Sequence, residues 1–219
     1  MNALTRKIIA EFLGVAVFVA SIVGVSTSGS PLGGLAAATT LGLMILVTAG
    51  ISGGHLNPAV SLYFFARREM SGTDFVSYVI AQLVGGVAGA ALGGLVWGKP
   101  ELTVYTGAAT PVGGFAAEVL ATAILVAVVG HLAGRGQGNL IPVAVGAWVF
   151  AAGSFVSSGA FANPAVTFGR MFTPSSAGIN LTDGAWYIVA QIVGTLLAVL
   201  LIGFVFPAKE KPVKKAKKK

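Results

Sequence analysis

Six long apolar stretches alternate with shorter polar segments along the chain. They run approximately over residues 4–26, 33–51, 74–97, 114–133, 140–157 and 184–206. A bilayer core about 30 Å thick is crossed by roughly 20 apolar residues in helical conformation. Each stretch is long enough, with a tolerance of a few residues at each end, to predict a transmembrane helix.

Two shorter apolar segments lie between these stretches, and both begin with the residues Asn-Pro-Ala-Val. The two boxes are formed by Asn57, Pro58 and Ala59 and by Asn163, Pro164 and Ala165. Asparagine is a favoured N-cap, and proline is favoured at the first helical position because its missing N–H would be unpaired there. Each box therefore predicts the start of a helix.

These two predicted helices are too short to cross a membrane. From Asn57 to Ala66 and from Asn163 to Phe172 there are about ten residues each, which make about 15 Å of helix. Each helix therefore covers half a membrane. Because the residue before a proline avoids the helical region, we expect the chain to reach each box in an extended conformation.

The second half of the chain repeats the first. Glu11 and Glu118, Asn57 and Asn163, and Gln82 and Gln191 are separated by 107, 106 and 109 residues. Each half carries three spans, so the second half enters the membrane from the opposite side and the repeat is inverted. We expect one transmembrane domain over residues 1–208, with repeats at about 4–100 and 111–207, and a basic tail at 209–219.

The composition supports a membrane protein: 55% of the residues are hydrophobic, 10% are charged, and the mean hydropathy is +0.87. The absence of cysteine excludes disulfides and thiolate chemistry. The net charge of +7 is concentrated in the last eleven residues, "KEKPVKKAKKK", which carry seven of the fourteen cations. We interpret this tail as a solvated cytoplasmic end near anionic lipid and not as a nucleic-acid interface.

Basic residues outside the tail set the expected orientation. With both termini in the cytoplasm, the residues on that side are Arg6, Lys7, Arg67, Arg68 and Arg135, whereas Lys99 and Arg170 lie outside. Cytoplasmic loops carry an excess of Lys and Arg. The pattern predicts a multi-pass protein of the inner or plasma membrane with both termini in the cytoplasm.

Inverted symmetry brings the starts of the two short helices together near the middle of the membrane. Non-helical backbone is tolerated at that depth only inside protein or beside a water-filled cavity. The segments before the boxes expose carbonyl acceptors, and each helix N-terminus adds about half a positive charge. Such a cavity suits a neutral, hydrogen-bonding solute and repels cations.

With these features the sequence resembles the aquaporin and aquaglyceroporin superfamily over residues 4–206. The resemblance rests on both Asn-Pro-Ala boxes, the approach "GGHLNPAV", the "AE" pair in the first and fourth spans, and the "AQ" pair in the third and sixth. It implies an all-α membrane fold of six transmembrane helices and two re-entrant half-helices. It also implies a homotetramer with one pore per protomer, in which Asn57 and Asn163 donate hydrogen bonds to the solute.

The resemblance places a selectivity filter at four positions: Ala37, Ala151, Ala160 and Val166. The assignments in the second and fifth spans, Ala37 and Ala151, leave room for a shift of one residue. Water-selective members carry an aromatic residue, a histidine and an arginine here, and glycerol-conducting members keep the arginine beside two aromatics. Three alanines and a valine predict a wide, uncharged filter. We expect polyols, urea or metalloid hydroxides to pass with some water.

Glu11 and Glu118 are the carboxylates deep within predicted spans, and such groups are functional candidates. A proton relay is one interpretation. Their symmetric placement, together with the resemblance, favours the other, in which each carboxylate accepts N–H groups from the loop of its own half.

Two further residues are candidates for the pore wall. The resemblance makes Phe18 a pore-lining aromatic, and a core or lipid-facing position is the alternative. His55, two residues before Asn57, is expected to line or support the cytoplasmic half, with a pH-sensitive gate as the alternative.

Arg170 lies four residues after Val166 and therefore on the same helix face. One interpretation is a surface arginine that anchors the outer interface. The other is a side chain that reaches the pore mouth and replaces part of the missing charge.

No nucleophile, base and orienting group occur together, so the sequence predicts no enzyme and no cofactor, and the separation of His55 from His131 argues against a metal site. The partners expected are small neutral solutes, water and lipid. Alternatives to a solute channel are a mainly water-conducting pore, an ion-coupled secondary transporter, which would need a coupling-ion site, and a closed structural protein.

Overall fold

The computed structural model describes residues 1–99 and 101–205. Within them, six long helices and two short ones follow one another. In chain order they are α1 (Ala3–Ser28), α2 (Gly33–Ser52), α3 (Pro58–Ala66), α4 (Gly72–Leu95), α5 (Gly114–Gly134), α6 (Ile141–Phe155), α7 (Pro164–Arg170) and α8 (Leu181–Val205). A single 3₁₀ turn, Gly138–Leu140, leads into α6. The predicted tail at 209–219 lies outside the described residues.

The six long helices confirm the predicted spans. All of them, with α6 counted from Gly138, are long and apolar enough to cross a membrane. Their ends agree with the predicted ends to within a few residues because the hydropathy pattern marks the apolar length directly. The fold is the predicted all-α arrangement of six membrane-crossing helices with two half-helices.

The short helices begin where the boxes predict. Asn57 and Asn163 are N-caps in extended conformation, with φ and ψ of −160° and 120° and of −158° and 112°. The side chain of Asn57 accepts from the Ala59 N–H at 2.8 Å, and that of Asn163 accepts from the Ala165 N–H at 2.9 Å. The second short helix ends at Arg170, two residues before the predicted end, because the chain turns there and Ile179 donates its N–H to the Arg170 carbonyl.

The prediction of an extended approach to the boxes was wrong beyond the two asparagines. Before Asn57, Gly53, Gly54 and Leu56 have positive φ angles of 89°, 62° and 48°. Before Asn163, the residues with positive φ are Gly159 at 72°, Ala160 at 53° and Ala162 at 46°. The proline restriction acts on the preceding residue alone. The loops are instead shaped by the carboxylates described below.

The two halves pack in equivalent ways. The first helix of each half contacts the second and third long helices of that half, so α1 packs on α2 and α4, and α5 packs on α6 and α8. The halves are joined by α2 against α6 and by each half-helix crossing to the other half, α7 onto α4 and α3 onto α8.

Glycine permits the closest of these helix contacts. A Cβ atom on Gly85 of α4 would lie 2.6 Å from the Phe12 carbonyl oxygen of α1, and one on Gly194 of α8 would lie 2.6 Å from the Val119 carbonyl oxygen of α5. These glycines occupy matching places in the two halves. Small residues allow backbones to approach in lipid, where van der Waals packing drives helix association.

Candidate functional site

The two boxes meet at the centre of the molecule and hold each other. The Asn57 amide nitrogen donates to the Ala162 carbonyl at 2.8 Å, and the Asn163 amide nitrogen donates to the Leu56 carbonyl at 2.8 Å. Each carboxamide oxygen is engaged in capping its own half-helix. An amide nitrogen carries two N–H groups. One N–H of each asparagine amide therefore has no acceptor among these contacts.

Glu11 holds the loop before the first box. Its carboxylate accepts the backbone N–H groups of His55 at 3.0 Å and Leu56 at 2.6 Å. It also accepts the Ser52 hydroxyl at 2.6 Å and the Gln82 amide at 2.7 Å. The carboxylate is fully buried, and these four donors compensate the loss of water around its charge.

Glu118 holds the loop before the second box in the same manner. It accepts the backbone N–H groups of Phe161 at 2.9 Å and Ala162 at 2.8 Å, and the Gln191 amide at 2.6 Å. Gln191 also donates to the Thr167 hydroxyl at 2.8 Å, as Gln82 does to the Ser61 hydroxyl at 3.1 Å. The same hydrogen-bond pattern thus occurs in both halves.

Leu56 and Ala162, the second N–H donors to the two carboxylates, have left-handed backbones with φ angles of 48° and 46°. Successive N–H groups in turns that contain a left-handed residue form concave anion sites. A left-handed conformation costs a residue with a Cβ roughly 1–2 kcal/mol. Here the carboxylates Glu11 and Glu118 occupy these sites, and the hydrogen bonds offset that cost.

A large cavity lies beside the boxes at the C-terminal end of α1, and we call it the outer cavity. Its volume is about 590 Å³. Small or hydroxylated residues make up much of its wall, which includes Ser26, Ser30, Gly34, Ala37, Gly153, Ser154, Ala160, Val166, Arg170 and Ser176. The larger apolar side chains of the wall include Phe18, Ile22, Val25, Val149, Phe150 and Phe161.

A much smaller cavity lies on the other side of the boxes, and we call it the inner chamber. Its volume is about 40 Å³, whereas one buried water needs about 10–15 Å³ of such space. Both asparagines line it together with Leu41, Ile45, Gly53, Gly54, His55, Val60, Phe64, Leu125, Val129, Ile141 and Val145. The inner chamber therefore has room for only a few waters.

Three of the four predicted filter residues line the outer cavity, and the fourth does not. Ala37, Ala160 and Val166 are in its wall, whereas Ala151 is exposed away from it. The helix α6 turns Val145, Val149 and Gly153 toward the two cavities, at a spacing of four residues. At about 100° per residue, Ala151 points about 200° away from Val149. The assignment of Ala151 to the filter was wrong because spacing from Asn163 does not fix the rotation of α6.

The remaining candidates lie in the walls of the two cavities. Phe18 is 3% exposed and lines the outer cavity, so it does not face lipid. His55 lines the inner chamber, where its Nδ1 lies 3.1 Å from the Ser61 hydroxyl and its ring stacks on Phe64 with centroids 4.7 Å apart.

Arg170 lies in the wall of the outer cavity and is only partly exposed. Its guanidinium carbon lies 3.4 Å from the centroid of the Phe161 ring, and its Nε donates to the Ala177 carbonyl. This placement fits the interpretation of a side chain at the pore mouth and does not fit an exposed interfacial anchor.

Sequence reasoning missed the apolar residues that narrow the inner chamber. Leu41 and Ile45 on α2, and Leu125 and Val129 on α5, lie four residues apart and face the chamber together. The signal was present in this spacing, but apolar residues recur all round a membrane helix, so periodicity alone does not separate the pore face from the lipid face. Within residues 1–99 and 101–205, no three His, Asp or Glu side chains are placed to hold a metal ion.

The family model named Major intrinsic protein matches this chain over residues 1–157 and again over residues 142–218. The chain therefore belongs to the major intrinsic protein family. It is 34% identical over 210 residues to the aquaglyceroporin AqpS of Rhizobium meliloti, an alignment that covers 91% of this chain and 89% of that protein. It is 36% identical over 223 residues to the aquaporin TIP2-1 of Zea mays, covering 92% and 87% of the two chains.

A solved structure shares the fold. The aquaglyceroporin from Plasmodium falciparum superposes with a TM-score of 0.71 at 22% identity, over 92% of this chain and 96% of that one. The predicted resemblance to the aquaporin superfamily and the predicted fold are thus confirmed.

Proposed function

We propose that this protein is a passive channel for small uncharged solutes such as polyols, urea and metalloid hydroxides, with some water. The observation that carries the proposal is the pair of cavities beside the boxes. Asn57 and Asn163 line the inner chamber, and Ala160 and Val166, which flank the second box, line an outer cavity with room for such solutes. Val166, 1% exposed, stands directly after the second box and adds neither charge nor bulk to that cavity. The names of relatives that include an aquaglyceroporin support the same class.

The hydrogen bonds of the two buried carboxylates argue against an ion-coupled carrier. Glu11 accepts four donors and Glu118 accepts three, and each set includes two backbone N–H groups. Protonation would remove the negative charge and one acceptor position, and would therefore weaken the bonds that hold the loops of the boxes. A relay residue must gain and lose a proton at low cost, so we assign both carboxylates a structural role in the site.

A mainly water-conducting pore is the second candidate, and the inner chamber favours it. At about 40 Å³ the chamber has less than a tenth of the volume of the outer cavity. Solutes larger than water require the side chains around it to move.

We further propose that the protein is a homotetramer in the inner or plasma membrane, with both termini in the cytoplasm. The family resemblance supports the assembly, and the excess of basic residues in the loops assigned to the cytoplasm supports the orientation.

Stopped-flow light scattering on proteoliposomes tests the proposed function. Vesicles with the protein should swell faster than protein-free vesicles in inward gradients of glycerol, urea and arsenious acid, and should also shrink faster in an impermeant osmolyte. Water flux alone would favour the second candidate. Solute flux that requires a proton or sodium gradient would contradict a passive channel.

A further inference from the structure

Arg170 is the charged residue of the outer cavity. Among the described residues that line this cavity, no other side chain carries a charge, and no carboxylate lies within ion-pair distance of the guanidinium. Arginine remains protonated in proteins. The wall that carries Val166 therefore also carries a positive charge with no ion-pair partner among the residues that line the cavity.

Two contacts hold the guanidinium in one orientation. The guanidinium stacks on the Phe161 ring, with its central carbon 3.4 Å from the ring centroid, and Nε donates to the Ala177 carbonyl. Phe161 is itself positioned, because its N–H donates to Glu118 at 2.9 Å and its ring meets Tyr187 edge-on with centroids 5.4 Å apart. Stacking on an aromatic face suits a weakly hydrated guanidinium.

The remaining N–H groups of Arg170 are available to a solute. Arginine has five N–H donors in a planar fork, and in this structure only Nε is given an acceptor among the described residues. Hydroxyls in the same wall add weaker partners, including Ser26 and Ser176, whose oxygens lie 2.7 Å apart. A planar fork binds two neighbouring oxygens through two parallel hydrogen bonds.

We propose that Arg170, stacked on Phe161, forms a solute-binding subsite in the outer cavity that selects uncharged solutes with two oxygens on one atom or on adjacent atoms. The inference rests on the proposed channel function and names the chemistry of its selection. The outer cavity is wide enough to accept small solutes of many kinds. Among solutes of similar size, the planar guanidinium of Arg170 favours vicinal diols and polyhydroxy acids of metalloids over solutes whose oxygens are farther apart.

Glycerol and 1,3-propanediol form a matched pair of probes, since they differ only in the central hydroxyl group. In proteoliposomes with the wild-type protein, the half-saturating concentration for flux should be lower for glycerol than for 1,3-propanediol. Arg170→Gln should raise the value for glycerol by about tenfold, as expected for the loss of charged hydrogen bonds. The value for 1,3-propanediol and the water permeability should change much less.

Two variants separate binding from a structural role. Arg170→Lys keeps the charge without the planar fork, so glycerol binding should fall between that of the wild type and that of Arg170→Gln. Arg135→Gln removes a cation at the exposed end of α5 and should leave all three fluxes unchanged. Equal losses of glycerol, 1,3-propanediol and water flux in Arg170→Gln would overturn the inference.

The failure of the inference and that of the proposed function give different results. Wild-type vesicles that conduct neither solute above the protein-free rate would overturn both. Conduction of both solutes by the wild type with equal half-saturating concentrations would overturn the subsite alone, and this measurement requires no variant to fold.

Discussion

The outer cavity and the inner chamber occupy equivalent places in an inverted repeat, yet they differ more than tenfold in volume, at about 590 Å³ and 40 Å³. The buried polar groups around them are nearly the same. Each half has a carboxylate, a glutamine and a capping asparagine in matching contacts. Leucine, isoleucine, valine and phenylalanine line the inner chamber, where glycine, alanine and serine line much of the outer cavity.

The difference in volume shows that the buried polar groups and the side chains lining the cavities have separate roles. The buried polar groups place both loops and join the boxes, so their symmetry is retained. The side chains that line the passage determine its width and chemistry and are free to diverge. We therefore expect size selection in the inner chamber and chemical selection in the outer cavity.

The largest expected effect comes from removing either of the two buried carboxylates that hold the loops. Glu118→Ala leaves the N–H groups of Phe161 and Ala162 without an acceptor and removes one of the two acceptors of the Gln191 amide. Glu11→Ala does the same to the N–H groups of His55 and Leu56, and it removes one acceptor each from Ser52 and Gln82. At about 1–3 kcal/mol for each unpaired buried group, both changes should destabilise the protein by at least about 3 kcal/mol. Thermal unfolding in detergent measures this, and the effect should be larger for Glu11→Ala.

Glu69 offers the control for these two changes, since it is an exposed carboxylate after α3. Glu69→Ala should leave the midpoint of unfolding near that of the wild type. A midpoint unchanged in Glu11→Ala or Glu118→Ala would mean that the loops are held by other contacts.

The second effect tests the width of the outer cavity. Val166→Arg places a long, charged side chain in its wall and should lower glycerol and urea flux while water flux remains. A barrier higher by about 1.4 kcal/mol would reduce solute flux tenfold. Val166→Met adds length without charge, so comparison of the two variants in stopped-flow assays separates size from electrostatics. Solute flux unaffected by either change would place the limiting step in the inner chamber.

The third effect tests the inner chamber. Leu125→Ala removes bulk from the chamber wall and should raise glycerol flux severalfold, about threefold for a barrier lowered by roughly 0.7 kcal/mol. Leu120, on the same helix and 46% exposed, supplies the matched control, because Leu120→Ala makes the same chemical change outside the passage. If both variants conduct like the wild type, the chamber does not limit glycerol.

The smallest effect concerns a contact present in one half only. Ser61 lies 3.1 Å from His55 Nδ1 and also accepts from Gln82. Its counterpart Thr167 accepts from Gln191 and donates to the Asn163 carbonyl, and the residue that matches His55 is Phe161, whose ring has no nitrogen. Ser61→Ala should cost about 1 kcal/mol of stability, the net contribution of a typical hydrogen bond, and change water flux less than the third effect changes glycerol flux. Thermal unfolding and water permeability measure the two quantities. A large loss of water flux would make His55 orientation decisive for conduction.

The sequence alone determined the spans, the half-helix starts and the class of protein. Hydropathy over about 20 residues is set by the thickness of the bilayer, and Asn-Pro is a local signal whose cap geometry depends on few neighbours. The repeat spacing also pairs Glu11 with Glu118.

The tertiary structure decided how the helices are rotated and which side chains meet. Ala151 was misplaced because the rotation of α6 follows from packing against α2 and α5, and the left-handed residues Leu56 and Ala162 follow from carboxylates more than 40 residues away. The stacking of Arg170 on Phe161 and the width of the inner chamber likewise depend on packing between elements distant in sequence. Local patterns specify where helices begin and end, but only the assembled interior specifies which of their faces enclose the passage.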